Sequence, residues 1–154
     1  MANVLTHSPA TIIRQLLIDL GLGVESEYTG DAYTGGDWPV FTSIEPDAPD
    51  QVITAFDTAG RSDGRRQIDG GILTHWGFQL RFRSKDHPTG WMKADEVRRA
   101  LSEDVYQTTV TVDDESYQVH AVTGIGNPIP FGKGVPGISR LVLSLNAMAV
   151  IKAI

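Results

Sequence analysis

Three sets of residues in this 154-residue chain have types and spacing that could do chemistry. The first is its four histidines, His7, His75, His87 and His120. A histidine- or metal-dependent hydrolase needs two or three imidazoles to converge. His75 and His120 fall on the polar sides of two expected strands, where a sheet would let them face each other. No histidine pair has the helical spacing of metal ligands, and no Gly-x-Ser-x-Gly elbow offers a nucleophile. Surface or hydrogen-bonded histidines are therefore the expectation. The second set, Asp113-Asp114-Glu115, has the carboxylate oxygens a hard cation takes. It lacks the alternating acids, central glycine and distal glutamate of a calcium loop, so it reads as a solvated hairpin tip. The third is the stretch from Gly60 to Gly71, with four glycines and three arginines in twelve residues. Neither the lysine nor the hydroxyl residue of a phosphate loop follows it, and the next element is a strand rather than a helix whose N-terminus could hold an anion. It reads as a flexible basic arm whose Arg61, Arg65 and Arg66 are either solvated or pair with acidic patches on a neighbouring subunit. The chain is accordingly expected to be no enzyme and to need no cofactor or metal.

The elements that hold these residues centre on the stretch from Ile72 to Leu101. Trp76, Phe78, Leu80 and Phe82 alternate with Gln79, Arg81 and Arg83, the two-residue period of a strand with one buried face. Pro88 and Gly90 break the pattern. Trp91, Ala94, Val97, Ala100 and Leu101 then recur at three- and four-residue spacing, which predicts an amphipathic helix. An earlier helix begins at Ser8-Pro9, an N-cap followed by proline at the first helical position, and buries Ile12, Ile13, Leu16, Leu17 and Leu20. Gly21 or Gly23 closes it. Short strands are expected at Val40 to Ile44 and Val52 to Phe56. Val105 to Val112 and Ser116 to Thr123 should pair as an antiparallel hairpin. A long terminal strand runs from Ile138 to about Ile151.

Three stretches fit neither period: 25–37, 60–71 and 124–137, read as loop insertions. The last holds five glycines and three prolines. Its Ile129, Phe131 and Val135 either tuck onto their own domain or insert into a neighbour, with the balance towards the neighbour. The expected fold is a single α+β domain over 1–154: a two-layer arrangement of a mainly antiparallel mixed sheet with two helices packed on one face, and long Gly-rich loops.

Composition narrows the function classes. Hydrophobic residues make up 41% of the chain and charged residues 21%, which argues against general disorder. The absence of cysteine excludes disulfides and thiolate metal sites. No apolar run approaches a membrane span and no signal peptide is evident, so a soluble protein is expected. A net charge of −6 works against sequence-specific DNA binding.

The order and local pattern of these segments resemble the tail terminator proteins of long-tailed bacteriophages, also labelled minor capsid or tail completion proteins. The likeness rests on several segments in sequence. They are the helix from Pro9 to Leu20, the passage Pro46-Asp47-Ala48-Pro49-Asp50 leading into Val52 to Gly60, and the Arg/Gly-rich arm. The strand Gly77 to Arg83, the helix carrying Ala94, Val97, Arg98 and Leu101, and Asn127-Pro128-Ile129-Pro130 before a long last strand complete it. It covers most of the chain and leaves out Glu25 to Asp37. The resemblance implies a homo-oligomeric ring, usually a hexamer, built in the host cytoplasm into the tail-neck region of the virion. The ring caps the tail tube protein, stops tube elongation and meets a head-completion or connector protein, while DNA passes through its lumen without specific binding. Arg61, Arg65, Arg66, Ile129 and Phe131 are then the arm and loop contacts. Neck or head-closure ring proteins of the same virions are the nearest rival.

Overall fold

A computed structural model describes residues 4–25, 38–47, 50–65, 68, 72–133 and 140–154. Arg66, Val135 and most of the tyrosine-bearing segment 25–37 lie outside the described residues.

The first helix, α1 (Pro9–Asp19), starts as its sequence dictates: Ser8 caps it by accepting from the Thr11 amide, and proline occupies its first turn. The Asp57 carboxylate takes a second free amide, that of Ala10, at 2.8 Å. Gly21, at φ +73°, follows its end, in the left-handed region that costs glycine little. Strands β1 (Val40–Thr42), β2 (Val52–Arg65) and β3 (Ile72–Ser84) come next. Helix α2 (His87–Glu103) is capped by Asp86, which accepts from the Thr89 amide. Strands β4 (Thr108–Val112), β5 (Glu115–Thr123), β6 (Ile129–Lys133) and β7 (Leu141–Ala153) complete the chain.

Among the described residues, two helices and a mixed sheet of seven strands make this an α+β fold. The strand order is β1-β2-β3-β7-β5-β4, with β6 also paired to β7. β1 runs parallel to β2 and all other pairs are antiparallel. The long last strand is central, as its length suggests. β3 covers one edge of it, from Trp76 opposite Ala149 to Ser84 opposite Leu141. On the other edge β5 pairs with its C-terminal half and β6 with Leu141 to Ser144.

Register explains the core. Phe78, Leu80 and Phe82 stand opposite Ala147, Leu145 and Leu143 of β7, and Leu80 and Phe82 opposite Ala55 and Ile53 of β2. All lie on one face and are at most 5% exposed. They join Ile12, Ile13, Leu16 and Leu17 of α1 and Ala94, Val97 and Leu101 of α2 in one cluster. Each large side chain buried there contributes roughly 1.5–3 kcal/mol. α1 touches β4 at one end of the strand order and β1 and β2 at the other, so the sheet curls.

Several expectations change. Residues 60–65, expected as a mobile loop, continue β2 and pair with β3. Residues 129–133, expected within a loop, form β6. Trp91, expected on the buried stripe of α2, is 40% exposed, because the stripe runs through Gly90, Ala94, Val97 and Leu101 and Trp91 stands one residue off it.

Candidate functional site

β2 and β3 form a hairpin whose distal part separates from β7. β3 pairs with β7 only from Trp76 onward, whereas its pairing with β2 continues back to Ile72 opposite Arg65. Residues 57–65 of β2 are all exposed. Among the described residues, the distal part is thus a two-stranded ribbon whose strands pair with no third strand. It carries one extra β2 residue between Thr58 and Arg61 and another between Ser62 and Arg65, irregularities that bend and twist a strand. At the first, a Cβ on Gly60 would collide with the His75 carbonyl, so the close crossing depends on glycine. Gly64, at φ +79°, sits at the second.

The base of this arm is held by His75, which is 8% exposed. Its Nε2 lies 2.7 Å from Asp63 Oδ2 and its Nδ1 3.3 Å from Thr123 Oγ1, at the end of β5. Asp63 also accepts Arg61 Nε at 3.3 Å. Asp63, His75 and Thr123 therefore tie the arm to the body of the sheet, and His75 is a hydrogen-bonded histidine, as expected. His7 is used similarly: its amide and Nδ1 meet the Tyr117 hydroxyl at 3.2 and 2.7 Å, and its Nε2 meets Asp113 at 3.1 Å. That contact pins the N-terminal segment to the β4–β5 turn, where Asp113 takes φ 52°. Among the described residues, no three His, Asp or Glu side chains are grouped to hold a metal.

A second surface lies on the polar face of the sheet, where the Arg81 guanidinium sits 4.8 Å from the Phe56 ring and 5.9 Å from the Phe131 ring. Phe131 is 60% exposed and Ile129 52%. Both stand on β6, whose own pairing to β7 leaves these side chains uncovered. Beside this face Arg83 is buried, and burial pushes its guanidinium below the usual value while Glu45 opposes the shift. Arg140 reaches across from the start of β7 to Asp50 at 2.7 Å and to the Asp47 carbonyl, fastening the turn that precedes β2.

Arg61 and Arg65 are thus on the arm, exposed, and Ile129 and Phe131 are on β6. The arm leaves the sheet beyond Ala149 of β7, whereas β6 pairs with Leu141 to Ser144, so Arg61 and Arg65 do not share a patch with Ile129 and Phe131. They belong to two, separated by roughly 15 Å or more along β7. The tether at His75 escaped sequence reasoning because its partner Asp63 stood in a segment read as loop. Neither a comparison with models of known protein families nor one with curated proteins finds a match.

Proposed function

We propose that this chain is a structural assembly protein of a bacteriophage virion. In this reading it forms a ring that caps the tail tube, stops tube elongation and joins the tail to the head-completion complex. The observation that carries the reading is the β2–β3 arm. A two-stranded ribbon in water is marginal by itself, and this one is exposed along β2 from Asp57 to Arg65 and anchored at its base by a buried histidine. A ribbon so placed gains its stabilising surface from another molecule. The apolar side chains of β6 supply a second contact surface at a different place on the body. Two different patches on one chain suit heterologous contacts, which close into a ring when the rotation permits. The sheet with both helices on its apolar face then serves as a two-layer scaffold, and the glycine-rich excursions act as its grips. The net charge of −6 suits a lumen through which DNA slides.

Shortening the arm tests this. Replacing residues 62–74 by an Asn-Gly turn, so that Arg61 connects to His75 across it, removes exposed residues together with the Asp63 tether. The shortened chain is expected to keep its far-ultraviolet spectrum and cooperative unfolding while failing to stop growth of purified tail tubes. Normal capping by the shortened chain would refute the role of the arm. Binding to the head connector by the intact protein, with no effect on tube growth, would instead assign it to the neck.

A further inference from the structure

Helix α2 carries an open groove on its exposed side, of about 450 Å³. Its apolar floor is Leu22, Trp91, Met92 and Ala100, and around it stand four carboxylates, of Asp95, Glu96, Glu103 and Asp104, and one cation, Arg99. Met92 is 71% exposed and Trp91 40%, an uncommon outlay of large apolar surface on a helix with such a regular buried stripe. The acids differ in their engagement. Asp95 is held by Arg98 at 2.7 Å and Arg99 at 2.8 Å, and Glu96 by Lys93 at 3.2 Å. Among the described residues, Glu103 and Asp104 have no ion pair with a side chain.

The arm bears the complement. Arg65 is exposed at the end of β2 and Ile68, just beyond it, is 99% exposed. One cation and one bare aliphatic side chain match two free carboxylates beside an apolar floor. The arm departs at Ile72, whereas α2 begins past Ser84, and Gly90 packs against Ser84 and Leu143. The 13 residues of β3 put the two ends roughly 40 Å apart.

We infer that the α2 groove receives Arg65 and Ile68 of a second copy of this chain, with Ile68 on Trp91 and Met92 and Arg65 beside Glu103 and Asp104. The contact joins unlike surfaces, so it repeats head to tail. It deepens the ring reading by naming where the arm docks, and it stands or falls separately from tube capping.

Because the chain has no cysteine, every introduced thiol is unique. Ile68→Cys and Met92→Cys proteins, each confirmed folded by circular dichroism, are mixed under mild oxidation at the highest soluble concentration. Mixing two single variants excludes any bond within one chain. The expected product is a mixed disulfide dimer, roughly tenfold above either homodimer. Its yield is expected to fall about tenfold when Glu103→Lys and Asp104→Lys are added to the Met92→Cys chain, and to recover when Arg65→Glu is added to the Ile68→Cys chain. A mixed dimer no more abundant than the homodimers, or a yield indifferent to the charge reversals, would overturn the contact. Cross-linking as expected by a protein that does not cap tubes would leave the contact standing and remove the tail-tube reading. Capping without the cross-link would do the reverse.

Discussion

At the scale of single residues, the structure separates side chains that hold the fold from side chains that stand ready to touch something else. Phe131 belongs to the second group: 60% exposed, it meets its own chain through a guanidinium 5.9 Å away, a contact worth well under 1 kcal/mol at such exposure. Phe131→Ala is therefore expected to shift the urea midpoint by the equivalent of less than about 1 kcal/mol while weakening tube capping severely. A variant that caps normally would remove β6 from the interface. Asp50 belongs to the first group. Burial raises its carboxyl pKa, but the hydrogen bond and charge of Arg140, with those of Lys85, outweigh burial and hold it below the ordinary value. A carboxyl lowered on folding stabilises the protein above its unfolded pKa, and that stabilisation is lost as pH falls through the folded value. Arg140→Ala should thus be less stable at neutral pH, by up to about 1 kcal/mol for so exposed a pair. Its stability should also fall less between about pH 5 and 3 than that of the wild type. Urea titrations at several pH values would show the two curves converging in acid; parallel curves would contradict the assignment.

At the scale of elements, the arm depends on how β2 crosses β3. Gly60→Val places a side chain against the His75 carbonyl, so the distal ribbon should detach while the core strands stay. Amide exchange is expected to quicken at residues 61–65 and 72–75 and to stay slow at Phe78, Leu80 and Phe82, whose opening is set by the buried sheet. Uniform protection in the variant would mean that the crossing tolerates a side chain. The elements legible in the sequence were those whose own residues repeat: α1 from its cap and stripe, β3 from four alternating large apolar residues, β7 from its long apolar face. Those that were not legible borrow their structure from a partner. Gly60 to Arg65 has no apolar alternation and is a strand because β3 lies beside it. Ile129 to Lys133 is disguised by Pro130 and Gly132 and is a strand because β7 offers a free edge. Trp91 satisfied the helical spacing, but Gly90, one residue earlier, takes the place on the buried stripe, and a glycine does not register as apolar in the pattern. The sequence already separated Arg61 and Arg65 from Ile129 and Phe131 as arm and loop, whereas the distance between these pairs emerges only from the pairing of β3 and β6 along β7.

At the scale of the whole molecule, a curled α+β body presents three surfaces that its own core does not use: the ribbon, the β6 face and the groove of α2. Among the described residues no helix is long and apolar enough to cross a membrane, so these exposed apolar side chains are not parts of a spanning helix. Unlike surfaces on one chain predict closed or open repetition rather than a two-fold pair. The most direct test images growing tail tubes by electron microscopy with and without the purified protein. The account predicts a ring of copies at one tube end and a sharp limit on tube length. Tubes that keep lengthening, with no added density at either end, would contradict it.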